Sequence, residues 1–367
     1  MEREEFRKLL LNNSFNKKEW DWQLESQGQR EFLKELNMQQ FPESNRHTAD
    51  HLNSIHTNPL TDIEDEFLKK IFLLVKDFLL PDEREMVDNV HFMQEWLDSF
   101  NAKAFRVESE DRVVIINKGS TVSLAYASIA YTHCAVSTPG SKTYPNDIVK
   151  LFIASLEPLR LAQISSAFDV RAVHHKLLLS DNYKAAFADM LMVAMLCFIV
   201  SHELAHHILG HQGRLVNFAE IRYESERYYK YSRQKEFEAD RYAWNLFRKI
   251  QSEMSKDEHI GEPLSMSPYC IVAPILLMTI IESLQTLRSA SHLKKASRYS
   301  SHPSGYERRI ALESLVVNFL DDDIMTFIDS INFFFFKTIP VYFSGCSSEN
   351  MPSFICSNIL DNYTRQR

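Results

Sequence analysis

Glycine is scarce, with eight residues in a chain of 367. Few positions can take positive φ without strain, which argues against an all-β protein with many tight turns and favours helices. Cysteine is scarce as well. Cys134, Cys197, Cys270, Cys346 and Cys356 are odd in number and form no CxxC pair. Neither a disulfide framework nor a thiolate metal site is suggested, and a reducing cytoplasm fits this usage. Positive charge is not in excess: 41 Lys and Arg against 49 Asp and Glu leave a net charge of −8. That balance offers no electrostatic footprint for nucleic acid. Long apolar runs are also lacking. The most apolar windows, 190–200 and 270–281, fall short of the roughly 20 residues that cross a bilayer. Both read as buried core helices, with no membrane insertion expected. The opening MEREEFRKLLLNNSF mixes acids and bases around a short leucine run and does not read as a secretory signal.

What is present describes a folded protein. An apolar share of 45% with 25 Phe and 14 Tyr is more than a disordered chain carries. Charged, helical patterning over residues 1–36 gives way to a polar loop or linker at 37–61, and helical periodicity resumes from Ile63 to Leu80. Pro81 could open the next helix as its first residue. The best strand candidate is 105–117, which contains the β-branched run Val113-Val114-Ile115-Ile116. We expect a predominantly helical α+β protein with a small sheet, divided into a helical accessory region (1–100), a catalytic domain (101–320) and a packed C-terminal segment (321–367).

The chemistry concentrates on His202-Glu203-Leu204-Ala205-His206. This HExxH lies on a long apolar helix, Tyr183 to Gly210, uninterrupted by proline or glycine until its end. Four-residue spacing puts both imidazoles on one face, where they can take two positions of a tetrahedral zinc ion. Glu203 sits about 100° around the helix, beside the metal, where a general base belongs. By chance HExxH is expected on the order of 0.05 times in such a chain, so a third ligand is needed to strengthen the reading. The extended HExxHxxGxxH pattern fails, because Leu209 and Gln212 occupy its glycine and histidine positions. Downstream, Glu236 and Asp240 are four apart on one helix face. Glu236 can bind the metal while Asp240 accepts the other ring N–H of a ligand histidine. Ala239 between them would let two helices approach closely, and Glu238, on a different face, is the second candidate for the ligand. His207 and His211 are also four apart, but Ile208 leaves that register without a base. A surface or supporting role suits them better than ligation.

HELAH followed by EFEAD resembles the gluzincin peptidases of the HtpX and CAAX-prenyl-protease type, whose pattern is HExxH and then ExxAD on a second helix. The segment His302-Pro303-Ser304-Gly305-Tyr306-Glu307-Arg308-Arg309-Ile310 is similar to that family's HP…ERI segment. The resemblance spans roughly residues 183–315. It implies a zincin-like domain with one catalytic zinc, His202, His206 and Glu236 as ligands, Glu203 as base, and His302 as a group that polarises the scissile carbonyl or its oxyanion. A looser likeness, in architecture, is to soluble bacterial proteases of the phage-exclusion protein Lit type, which combine HExxH with no membrane anchor and cleave one host protein.

The expected activity is hydrolysis of a protein or peptide. Zinc would lower the pKa of water from about 15.7 to about 7, Glu203 would take the proton, and hydroxide would attack the carbonyl. Substrate would lie extended along the edge of the sheet containing Val113 to Ile116. A toxin-like or antiviral role, with an unidentified triggering partner, follows only from the looser likeness. The rival from another class is a regulatory protein that keeps zinc for sensing without hydrolysis. Glu203 separates the two, since a structural site has no use for a base.

Overall fold

The structure, a computed structural model, describes residues 66–95, 100–106, 112–135, 182–211, 226–259, 264–291 and 302–319, with isolated positions between 148 and 155 and between 322 and 328. Expectations for residues 1–61, for the loop near 137–145 and for the segment after 328 lie outside the described residues.

Helices α1 (Glu66–Asp77) and α2 (Pro81–Val87) come first, and Pro81 occupies the first turn of α2. Proline is accommodated there because that N–H has no intrahelical partner. Three strands follow: β1 (Val90–Glu95), β2 (Ala102–Arg106) and β3 (Arg112–Asn117). Their order is β1-β3-β2, with β1 parallel and β2 antiparallel to the central β3. Val113, Val114, Ile115 and Ile116 are all at most 2% exposed. This is the burial on both faces that a continuous β-branched run encodes.

The strand expected across 105–117 is in fact two. Phe105 and Arg106 end β2 and pair with Val113 and Arg112 at the start of β3. Between them the sequence runs Val107-Glu108-Ser109-Glu110-Asp111, in which only Val107 favours a strand. β1 was not anticipated either, because VHFMQE shows no clean alternation; it joins the sheet from the segment read as helical, and its pairing with β3 crosses the expected boundary at residue 100.

Helix α3 (Lys118–Ala135) packs on α4 (Asn182–Ile208), the spine of the molecule, which also contacts α1, α5, α6 and the sheet. Its Ala-, Leu- and Met-rich composition favours helix. Every residue from Leu191 to Val200 is buried, as an all-round apolar helix requires. Each fully buried Leu, Ile or Phe there contributes about 1.5–3 kcal/mol. The apolar window 190–200 belongs to a longer helix. Taken as a whole, Tyr183–Ile208 is long and apolar enough to cross a membrane, though most of it is buried against protein. Counting only uninterrupted apolar windows hid this, because Lys184, Asp189, Ser201 and His202 break the run without ending the helix.

Helix α5 (Glu226–Met254) is amphipathic: Ala239, Ala243, Phe247 and Ile250 are fully buried while Arg241, Asn245 and Lys249 face solvent. Helices α6 (Ala273–Ser291) and α7 (Gly305–Val316) pack together. Their approach depends on Gly305, where a Cβ would come within 2.4 Å of the Glu282 backbone nitrogen and 2.8 Å of the Met278 carbonyl oxygen. The start of α7 is fixed by a capping box. Ser304 Oγ accepts from the Glu307 N–H at 3.2 Å, and Glu307 accepts from the Ser304 N–H at 2.8 Å. Cys134, Cys197 and Cys270 are buried.

Candidate metal centre

Three elements converge. The last two turns of α4 supply His202, Glu203 and His206, α5 supplies Glu236 and Asp240, and the entry to α7 supplies His302 and Arg308. His202 Nε2 lies 3.1 Å from His206 Nε2 and 3.5 Å from Glu236 Oε2, and His206 Nε2 lies 3.6 Å from Glu236 Oε1. A tetrahedral ion with bonds of about 2.0–2.1 Å separates its ligand atoms by about 3.3–3.4 Å, so these spacings suit one. His202, His206 and Glu236 thus form a largely buried group that could hold a metal ion.

The second ring nitrogen of each histidine is also engaged. His202 Nδ1 is 2.9 Å from Asp240 Oδ1. His206 Nδ1 is 3.3 Å from His211 Nδ1. Asp240 is itself gripped by Arg308, whose Nε and Nη2 donate to its two oxygens at 2.7 and 2.6 Å. Arg308 Nη1 also reaches to 3.7 Å from Glu236. A carboxylate buried this deeply needs such pairing, because an unpaired charge there would cost several kcal/mol.

Charge in this cluster is shared unevenly. Burial works against ionising Glu236, yet hydrogen bonds to His202 and His302, with the Arg308 charge, hold it well below the usual carboxylate range. Burial also opposes ionising Asp240, and Arg308 and His202 overcome it. Burial and Arg308 disfavour a charge on His202, but its bonds to Asp240 and Glu236 lift it to about 9. Burial and the His202 charge together depress His206 to about 3. Protonation is therefore favoured on His202 and disfavoured on His206.

Glu203 behaves differently. It is 7% exposed, stands outside the three-atom group, and burial raises it to about 7 with the His202 charge opposing. It lines a cleft of about 720 Å³ with the metal-facing residues and His302. Its lining includes the apolar side chains Phe198, Ile199, Leu277, Met278 and Ile281, and strand β2 from Ala102 to Phe105 also borders it. His302 sits at this mouth, 63% exposed on its side chain, with Nδ1 3.1 Å from Glu236 Oε1.

The structure therefore brings together His202, Glu203, His206, Glu236, Asp240 and His302. Glu238, the other candidate ligand, instead directs Oε2 to His211 Nε2 at 3.1 Å and accepts from Gln234 at 2.8 Å. His207 turns the opposite way, its Nε2 lying 3.1 Å from the Val113 carbonyl oxygen and tying α4 to the sheet. Arg308 is the residue that sequence reasoning left without a role. The sequence offers Arg308 and Arg309 side by side, and only the rotation of α7 decides which enters: Arg309 pairs with Glu282 and Glu313.

A buried two-histidine, one-carboxylate group with another carboxylate beside it in a cleft is a donor set that suits a metal ion. Residues 167–319 match the family model Peptidase U49, over less than half of the chain but including α4 to α7 and with them His202, Glu203, His206, Glu236, Asp240, His302 and Arg308. This match to a peptidase family supports a peptidase function. No curated protein and no solved structure matches the chain.

Proposed function

We propose that the protein is a zinc-dependent endopeptidase of zincin-like, gluzincin type, with His202, His206 and Glu236 as ligands. The observation that carries this reading is the near-tetrahedral spacing of the three ligand atoms, 3.1, 3.5 and 3.6 Å, with Glu203 beside them but not among them. The two-nitrogen, one-oxygen donor set suits zinc. A zinc ion held there supplies Lewis acidity, which brings water within reach of a weak base at neutral pH.

The chain's own residues do the rest. Glu203, whose buried carboxyl is pushed up to about 7, takes the proton of the attacking water and delivers it to the leaving amine. His302, at the cleft mouth, stabilises the charge that develops on the carbonyl oxygen. Substrate is held extended along β2, the edge strand bordering the cleft, since β3 has its main chain engaged on both sides. The apolar lining at Phe198, Leu277 and Met278 accepts a hydrophobic side chain. The cysteine usage supports a cytoplasmic setting, and the looser likeness to Lit-type proteases supports an effector protease acting on a host or invading protein.

The test is Glu203→Gln, assayed on a cell extract beside the parent. Zinc content should stay the same while cleavage falls by at least about 100-fold, the scale of a lost general base. Persistent cleavage in the variant would sink the mechanism. A parent that binds zinc but cleaves nothing would favour the sensor reading.

A further inference from the structure

We infer that His211 and Glu238 are positioning residues that fix the tautomer and orientation of His206 as a metal ligand, through a turn that Gly210 makes possible. The inference rests on the zinc reading of the site.

A histidine that ligates through Nε2 must carry its proton on Nδ1, and a partner must accept it there. His202 has Asp240 for this purpose, at 2.9 Å. The nitrogen facing His206 Nδ1 belongs to His211, at 3.3 Å, and His211 Nε2 faces Glu238 Oε2 at 3.1 Å. A carboxylate oxygen accepts, so the contact with Glu238 places the ring N–H of His211 at Nε2. His211 then offers a bare Nδ1, which accepts the Nδ1–H of His206. That arrangement leaves the His206 Nε2 lone pair free to face His202 and Glu236. The order of protons is thus set from Glu238 inward.

The backbone is built to hold this relay. Gly210 has φ +64°, a left-handed conformation that an L side chain adopts only with strain. It ends α4 in a Schellman turn: the Gly210 N–H donates to the His207 carbonyl at 3.4 Å, and the His211 N–H donates to the His206 carbonyl at 3.0 Å. His211 is thereby folded back over the residue it supports. From α5, Lys235 Nζ donates to the His211 carbonyl at 2.9 Å and Gln234 Nε2 donates to Glu238 at 2.8 Å. The helix that carries Glu236 therefore also pins the support for His206. His211 has its side chain 7% exposed although it lies past the helix end, whereas Leu209 and Gly210 of the turn itself face solvent.

The experiment measures zinc affinity of the full-length chain by competition with a chromophoric chelator, alongside the melting temperature of the metal-free protein. His211→Ala should weaken zinc binding by about 10- to 100-fold, the range for loss of such a partner, with the metal-free melting temperature nearly unchanged. His211→Asn, whose side-chain oxygen reaches the Nδ1 position, should recover most of the affinity, and His211→Gln, which reaches the Nε2 position, should not. Zinc affinity unchanged in His211→Ala, or no difference between the Asn and Gln variants, overturns the inference while leaving the zinc site intact. A parent that binds no zinc overturns the site reading and this inference together.

Discussion

Two consecutive stretches of helix α4, Leu191 to Val200 and Ser201 to His207, are both largely buried and are held in opposite ways. From Leu191 to Val200 the helix is apolar on all sides, and its packing needs only volume and shape. From Ser201 to His207 it is crowded with polar groups, and the three histidines there each point a ring nitrogen at a partner from another element: Asp240 for His202, Glu236 for His206, and the Val113 carbonyl for His207. The first stretch supplies a rigid rod. The second uses that rigidity, because buried polar side chains keep one geometry only when every partner is fixed.

Two substitutions sharpen this contrast. Asp240→Ala should have the larger effect, because it leaves Arg308 buried without its bidentate partner and His202 without an acceptor. We expect a loss of about 3–5 kcal/mol in stability and about 10- to 100-fold in zinc affinity, read by urea unfolding and chelator competition. Leu196→Ala, in the apolar stretch, should cost about 2–5 kcal/mol but leave zinc affinity of the folded protein where it was. If Leu196→Ala weakened zinc binding as much as Asp240→Ala, the two stretches would not be separable and the contrast would fail.

The same contrast explains what could be read from the sequence. Helical spacing alone related His202 to His206 and Glu236 to Asp240, since both pairs lie well inside regular helices where residues four apart share a face. That arithmetic stops at a helix end. His211, four residues after His207, would share its face on a continuing helix. The positive φ of Gly210 breaks the helix instead and carries His211 to His206. Strand β3 was legible from its β-branched run, whereas β1 and β2, VHFMQE and AKAFR, mix polar and apolar residues and are recognisable mainly from their pairing with β3. Arg308 was hidden because its orientation depends on how closely α7 approaches α6 at Gly305, a tertiary contact that no local pattern reports.

The central claim is most directly tested by zinc analysis of the purified full-length protein combined with X-ray absorption at the zinc edge. The account predicts one equivalent of zinc, bound through nitrogen and oxygen at about 2.0–2.1 Å, and lost on Glu236→Ala. Sulfur neighbours at about 2.3 Å, or zinc binding undiminished in Glu236→Ala, would contradict it.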